Sequence, residues 1–117
     1  MIRTAFLVVG LVTLLEVGVL RADARSDAKS HVEFGIEVAR HGLWREAIYR
    51  WRRALELDPT YAPAWNNLGI AFEHEGRFDE AREAYEAALD LDPDNLIIEE
   101  NYDLFLEVND RVSENPD

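Results

Sequence analysis

The chain has 117 residues, 48% of them apolar, with 24 acidic against 12 basic side chains and a formal charge of −12. So acidic a surface argues against nucleic acid as the main partner, because phosphate binding draws on cations. Cysteine is absent, which excludes disulfides, thiolate metal sites and thiol nucleophiles.

Residues 1–24 differ from the rest. Arg3 precedes a segment that is apolar from Ala5 to Leu15 apart from Gly10 and Thr13. Glu16, a short apolar return to Leu20 and Arg21-Ala22-Asp23-Ala24 come next. A positive start, an apolar stretch and small residues at Ala22 and Ala24 make the pattern of a secretory signal peptide cut after Ala24. The rival is a membrane tether through residues 4–20, with Glu16 inside a span shorter than the ~20 apolar residues a bilayer asks for. Both readings predict an exported protein, periplasmic or extracellular, either soluble after cleavage or anchored. A core helix is the third reading, and the segment lacks the polar face it needs.

From Ala28 the chain repeats itself. Residues 28–61 and 62–95, a shift of 34, share eleven identities: Ala28/Ala62, Gly35/Gly69, Ile36/Ile70, Gly42/Gly76, Glu46/Glu80, Ala47/Ala81, Ala54/Ala88, Leu55/Leu89, Leu57/Leu91, Asp58/Asp92 and Pro59/Pro93. In the second copy Trp65, Leu68, Gly69 and Phe72 share one helix face, and Gly76 ends that helix. A second helix carries Phe78, Ala81, Tyr85, Ala88 and Leu89 on one face, and Asp92-Pro93 stops it. The first copy keeps the same plan with Phe34, Gly35, Val38, Gly42, Ala47, Trp51, Ala54 and Pro59. Each unit is therefore expected to be a helical hairpin, with Gly69, Ala81 and Ala88 small where its two helices approach. A last helix is expected over 95–109, with Asp94 as its cap, and a flexible tail over 112–117.

Trp65-x2-Leu68-Gly69-x2-Phe72, Ala81-x3-Tyr85-x2-Ala88 and Pro93 resemble the tetratricopeptide repeat signature. The first copy departs once, with His31 where a bulky apolar residue is usual. The resemblance implies an all-α fold of antiparallel helix-turn-helix repeats, stacked as a short right-handed α-solenoid over residues 25–111. The final helix, with Glu99 and Asp103 where an aromatic and a glycine would stand, reads as a cap rather than a third repeat.

The resemblance also implies a function: a non-catalytic protein–protein interaction scaffold of the cell envelope, holding a peptide or partner protein in a concave groove lined by the first helix of each repeat. The groove positions carried over are Val32, Ile36 and Arg40, then Asn66, Asn67, Ile70 and Glu73, then Asn101, Leu104 and Glu107. Ile36, Ile70 and Leu104 recur at 34-residue spacing and predict an apolar stripe that either binds ligand or only packs between helices. Val32, Ile36, Asn66 and Ile70 stand where some relatives keep a basic clamp for a C-terminal carboxylate, so that mode is not expected.

The alternative function is structural: a self-associating subunit, such as a homodimer, formed through Ile97, Ile98, Leu104, Phe105 and Val108 of the cap. Charge is uneven, with net +1 over residues 25–61 and −13 over 62–117. No cofactor is expected. His31, His41 and His74 match no metal-ligand spacing and read as surface histidines. Ser26, Ser30, Thr60 and Ser113 lie in no nucleophile elbow and no phosphate loop is present, so no catalysis is expected.

Overall fold

The computed structural model describes the backbone from Ile2 to Glu114 and the side-chain surroundings of residues 16–114. Most side chains of the expected leader (residues 1–24) or tether (residues 4–20) lie outside that range, as do residues 115–117 of the expected tail.

Two glycine turns set the chain's path. Gly42 and Gly76 have φ of 76° and 72°, a left-handed conformation that a Cβ disfavours. The Gly42 N–H donates to the Ala39 carbonyl (2.9 Å) and the Leu43 N–H to Val38 (3.1 Å). Gly76 to Glu73 (3.1 Å) and Arg77 to Phe72 (2.8 Å) repeat the arrangement. Each pair satisfies carbonyls that the ending helix would leave open, and turns the chain back on itself.

The helices are α1 (Ile2–Arg40), α2 (Trp44–Leu57), α3 (Ala62–His74), α4 (Phe78–Leu91) and α5 (Leu96–Glu114). No strand occurs among the described residues. α1 packs on α2 and α3 on α4. α2 meets α3, and α5 closes the stack against both α3 and α4. This is the all-α solenoid the repeat predicts.

Within each hairpin a ring of the second helix crosses a glycine of the first. A Cβ on Gly35 would stand 2.8 Å from Cδ1 of Trp51, and one on Gly69 would stand 2.7 Å from Cε1 of Tyr85. Glycine is therefore required for close approach, as the spacing suggested. The core is continuous from Ala28 and Val32 through Trp51, Leu68, Phe72 and Tyr85 to Phe105.

Four local features differ from the expectation. α1 is one 39-residue helix that passes from the leader into the first repeat without a break. Residues 16–23 are exposed and Ala28 is the first fully buried side chain, so the boundary lies in packing rather than in the backbone. α5 is capped by Asn95, not Asp94: Asn95 Oδ1 accepts from the N–H groups of Ile97 (3.1 Å) and Ile98 (3.3 Å). It also runs past 109 to Glu114, since neither glycine nor proline interrupts Leu96–Glu114 and Glu107 pairs with Arg111 one turn on. Phe34 and Phe78, placed on the core faces by the pattern, are 48% and 37% exposed. Among the described residues, the Arg50 guanidinium lies over the Phe34 ring, 4.4 Å from its centre.

Candidate partner-binding surface

The expected groove residues fall into two groups. Val32 and Asn66 occupy equivalent positions and are both buried, at 4% and 8% exposure. That removes them from a ligand-facing surface. Val32 sits in the core, and its carbonyl accepts a hydrogen bond from the Trp51 indole N–H at 3.1 Å. Asn66 is covered by α5, where Asn101 Nδ2 donates to Asn66 Oδ1 at 3.2 Å. The physical reason is shared: in a stack, one flank of each first helix is covered by the neighbouring elements. Glu100, 34 residues after Asn66, is exposed.

The second group lies at the surface. Ile36 and Leu104 are 37% and 54% exposed, while Ile70 is half-buried and packs on the core. Asn67 and Asn101 are half-buried. Arg40 is exposed beside Glu37 at 3.4 Å, and Glu107 is exposed beside Arg111. Glu73 is half-buried and accepts a hydrogen bond from the Tyr85 hydroxyl at 3.0 Å. Burial, together with the charge of Glu73, pushes the Tyr85 phenol well above its ordinary value, so it stays a donor. Asn101 and Glu73 thus have intramolecular partners that the spacing did not reveal.

The spacing also missed a clamp at the entry to the repeats. Arg25 Nε donates to Asp58 Oδ2 (2.8 Å) and its Nη2 to the Thr60 hydroxyl (3.1 Å). The guanidinium lies 5.5 Å from the Tyr61 ring centre. Asp58 also accepts from the Thr60 N–H (3.1 Å) and Oγ1–H (2.7 Å). Burial raises the Asp58 pKa, and these hydrogen bonds from Thr60 and Arg25 outweigh it, so the carboxyl titrates below its ordinary value. The available signal was Asp58-Pro59-Thr60, a side-chain-capped turn just past a helix.

His41 and His74 are exposed, and the rings of Trp44 and His74 lie tilted to one another at 35° with centres 4.1 Å apart. No cluster of metal-ligating residues occurs among the described residues. Among the residues whose side chains are described, no helical stretch is long and apolar enough to cross a membrane; residues 2–15 of α1 lie outside that range.

Residues 32–95 match the family model for the tetratricopeptide repeat. The chain belongs to that family. Tetratricopeptide repeats form protein–protein interaction modules, and this chain is one. Among curated proteins, it is 36% identical over 58 residues to an uncharacterised Methanocaldococcus jannaschii protein, MJ0572, covering 50% of this chain and 67% of that one. It is also 36% identical over 67 residues to the human protein O-mannosyl-transferase TMTC1, covering 57% of this chain but 8% of that protein. So partial a match carries no transferase activity to this tetratricopeptide repeat chain. Among solved structures, Pseudomonas aeruginosa pilF superposes with a TM-score of 0.70 at 32% identity, covering 80% of this chain and 41% of that one. The Arabidopsis OM64 domain gives 0.69 at 20% identity, covering 78% and 75%, and supports the fold alone.

Proposed function

We propose that this tetratricopeptide repeat chain is a non-catalytic scaffold of the cell envelope that holds a peptide or partner protein along the first helices of its hairpins. The observation that supports this reading is the series Ile36, Ile70 and Leu104. One apolar residue recurs at the same register in three successive first helices, and two of the three are exposed. Asn67 lies one position after the buried Asn66 and offers a carboxamide that can both donate to and accept from a peptide backbone. Arg40 and Glu107 bring charge of both signs to the rim. The envelope location is supported by the Arg3 start, the apolar stretch and the Ala22-Asp23-Ala24 pattern.

The test is partner capture from envelope fractions with the full chain and with Ile36→Glu and Leu104→Glu. These two are exposed, so the helical spectrum and melting temperature should persist while capture of the same partner falls at least tenfold. Undiminished capture by both variants sinks the groove. N-terminal sequencing of the native protein tests export: a start at Arg25 supports cleavage, an intact Met1 in the membrane fraction supports the tether, and an intact Met1 in the cytosol refutes both.

A further inference from the structure

The two ends of the stack differ in chemistry. At the last end, α5 leaves Leu96 75% and Leu104 54% exposed. Together with Glu99, Glu100, Asp103 and Glu107 they line one shallow groove. Over its whole length α5 is rich in carboxylates and carries a single arginine, Arg111. At the first end, α2 carries four arginines and two glutamates; Arg50 and Arg53 pair with Glu46 and Glu56 of the same helix, and Arg52 turns away to Glu80 of α4. Phe34 and Tyr49, 48% and 57% exposed, flank Arg50, whose guanidinium lies 4.4 Å and 5.6 Å from their ring centres.

These ends are also the faces along which repeats stack. Position 32 and its equivalent 66 are covered by neighbouring elements of the stack, and their next equivalent, Glu100, is open. Asp103 likewise stands 34 residues after Gly69, at the place that the Tyr85 ring covers in the second hairpin. An aromatic helix from a third repeat of the usual kind would therefore meet a carboxylate rather than a glycine. A surface that combines leucine with carboxylates is complementary to one that combines aromatic rings with guanidinium groups.

The geometry points to head-to-tail association with a second copy of this chain: the acidic face of α5 around Leu96, Glu100 and Asp103 seats on the Phe34/Tyr49/Arg50/Arg53 face of the next molecule. The paired cap helices of a symmetric dimer would bring Glu99, Glu100, Asp103 and Glu107 against their own copies, and like charges in contact oppose association. Only the heterologous arrangement sets anionic groups against cationic ones. A contact of that type repeats until a ring closes or a filament grows.

Sedimentation velocity of the full chain, from micromolar to about 0.2 mM, reads the association directly. The wild type should form concentration-dependent oligomers that weaken as NaCl rises from about 0.05 to about 0.5 M. Glu100→Arg with Asp103→Arg, and separately Arg50→Glu with Arg53→Glu, should each give a monomer. Mixing the two charge-reversed proteins should restore association, because each reversed face then finds its complement on the other protein. A wild type that stays monomeric overturns the inference, even if it binds a basic helical peptide at α5, which would assign that face to a different partner. A dimer that survives both reversals, or variants that stay monomeric on mixing, overturns it as well.

Discussion

The two hairpins answer one packing problem with different chemistry. In both, a ring from the second helix crosses a glycine of the first, and its polar edge must then find a partner inside the hairpin. Trp51 donates its indole N–H to the Val32 carbonyl at 3.1 Å in a buried setting. Tyr85 reaches further and donates its hydroxyl to the Glu73 carboxylate at 3.0 Å, where the bond is only partly buried. The first solution uses a backbone acceptor that any sequence supplies. The second commits Glu73, a half-buried residue at the surface, to holding the fold. The repeated element is thus the glycine–ring contact, and the hydrogen bond that completes it is free to vary.

The largest effect should come from where the second hairpin depends on α5. Phe105 is 1% exposed and lies against both Tyr85 and Tyr102, with ring centres 5.6 and 6.3 Å away. Phe105→Ala should cost about 3–5 kcal/mol in denaturant unfolding. A loss under about 1 kcal/mol would mean that α5 is not part of the cooperative unit and that the two hairpins stand alone.

Next comes the glycine–ring contact itself. Gly69→Ala places a Cβ 2.7 Å from a ring that Phe105 and Glu73 hold in position. The overlap should cost about 1–3 kcal/mol, against which alanine regains up to ~1 kcal/mol of helix propensity. A net loss in thermal or denaturant melts is expected. A stabilised variant would show that the ring yields and that close approach is not what glycine is for here.

Tyr85→Phe sharpens the contrast between the hairpins. It keeps the ring and removes the bond to Glu73, for about 1 kcal/mol. Glu73→Gln retains an acceptor and should cost less. If the two substitutions prove equal, the negative charge rather than the hydrogen bond is what matters. Wild-type phenol absorbance should also show Tyr85 ionising only as the protein unfolds at high pH: the unfolded chain's phenol gives up its proton from its ordinary 10.0 upward, so the stability present below that value is lost as pH rises above it.

The smallest effect belongs to the Arg25–Asp58 clamp, whose arginine side chain is 56% exposed. Asp58→Asn should cost under about 1 kcal/mol at neutral pH. A folded-state pKa below the unfolded value sets the sign of its pH dependence: the contribution is present above the ordinary 3.8 and is lost as pH falls through the lowered value. The melting-temperature gap between wild type and Asp58→Asn should therefore close in acid. A gap that persists well below that range would assign the effect to turn geometry instead of charge.

Much of the architecture was legible in the chain's own spelling. A 34-residue period and glycines at 42 and 76 imply stacked hairpins, because 3.6-residue periodicity and left-handed turns are local properties. That Gly69 is small where the two helices approach was also legible, but that Trp51 crosses Gly35 and Tyr85 crosses Gly69 came from the packing. The binding surface was less legible. Val32 and Ile36 are both apolar and one helical turn apart, yet one is in the core and the other faces outward. Asn66 and Asn67 are identical in type, yet the first is buried beneath α5 and the second only half-buried.

What the sequence alone determined is the class, the number of hairpins and the excess of carboxylates at one end, since each rests on local helix geometry or on simple counts. Tertiary structure decided which flank of each first helix is covered. It also decided that Glu73 and Asn101 are engaged within the fold, and that α5 turns its leucines and carboxylates outward together. Burial depends on what lies beyond a helix, and for the first and last elements of a stack that neighbour is missing from the repeat pattern.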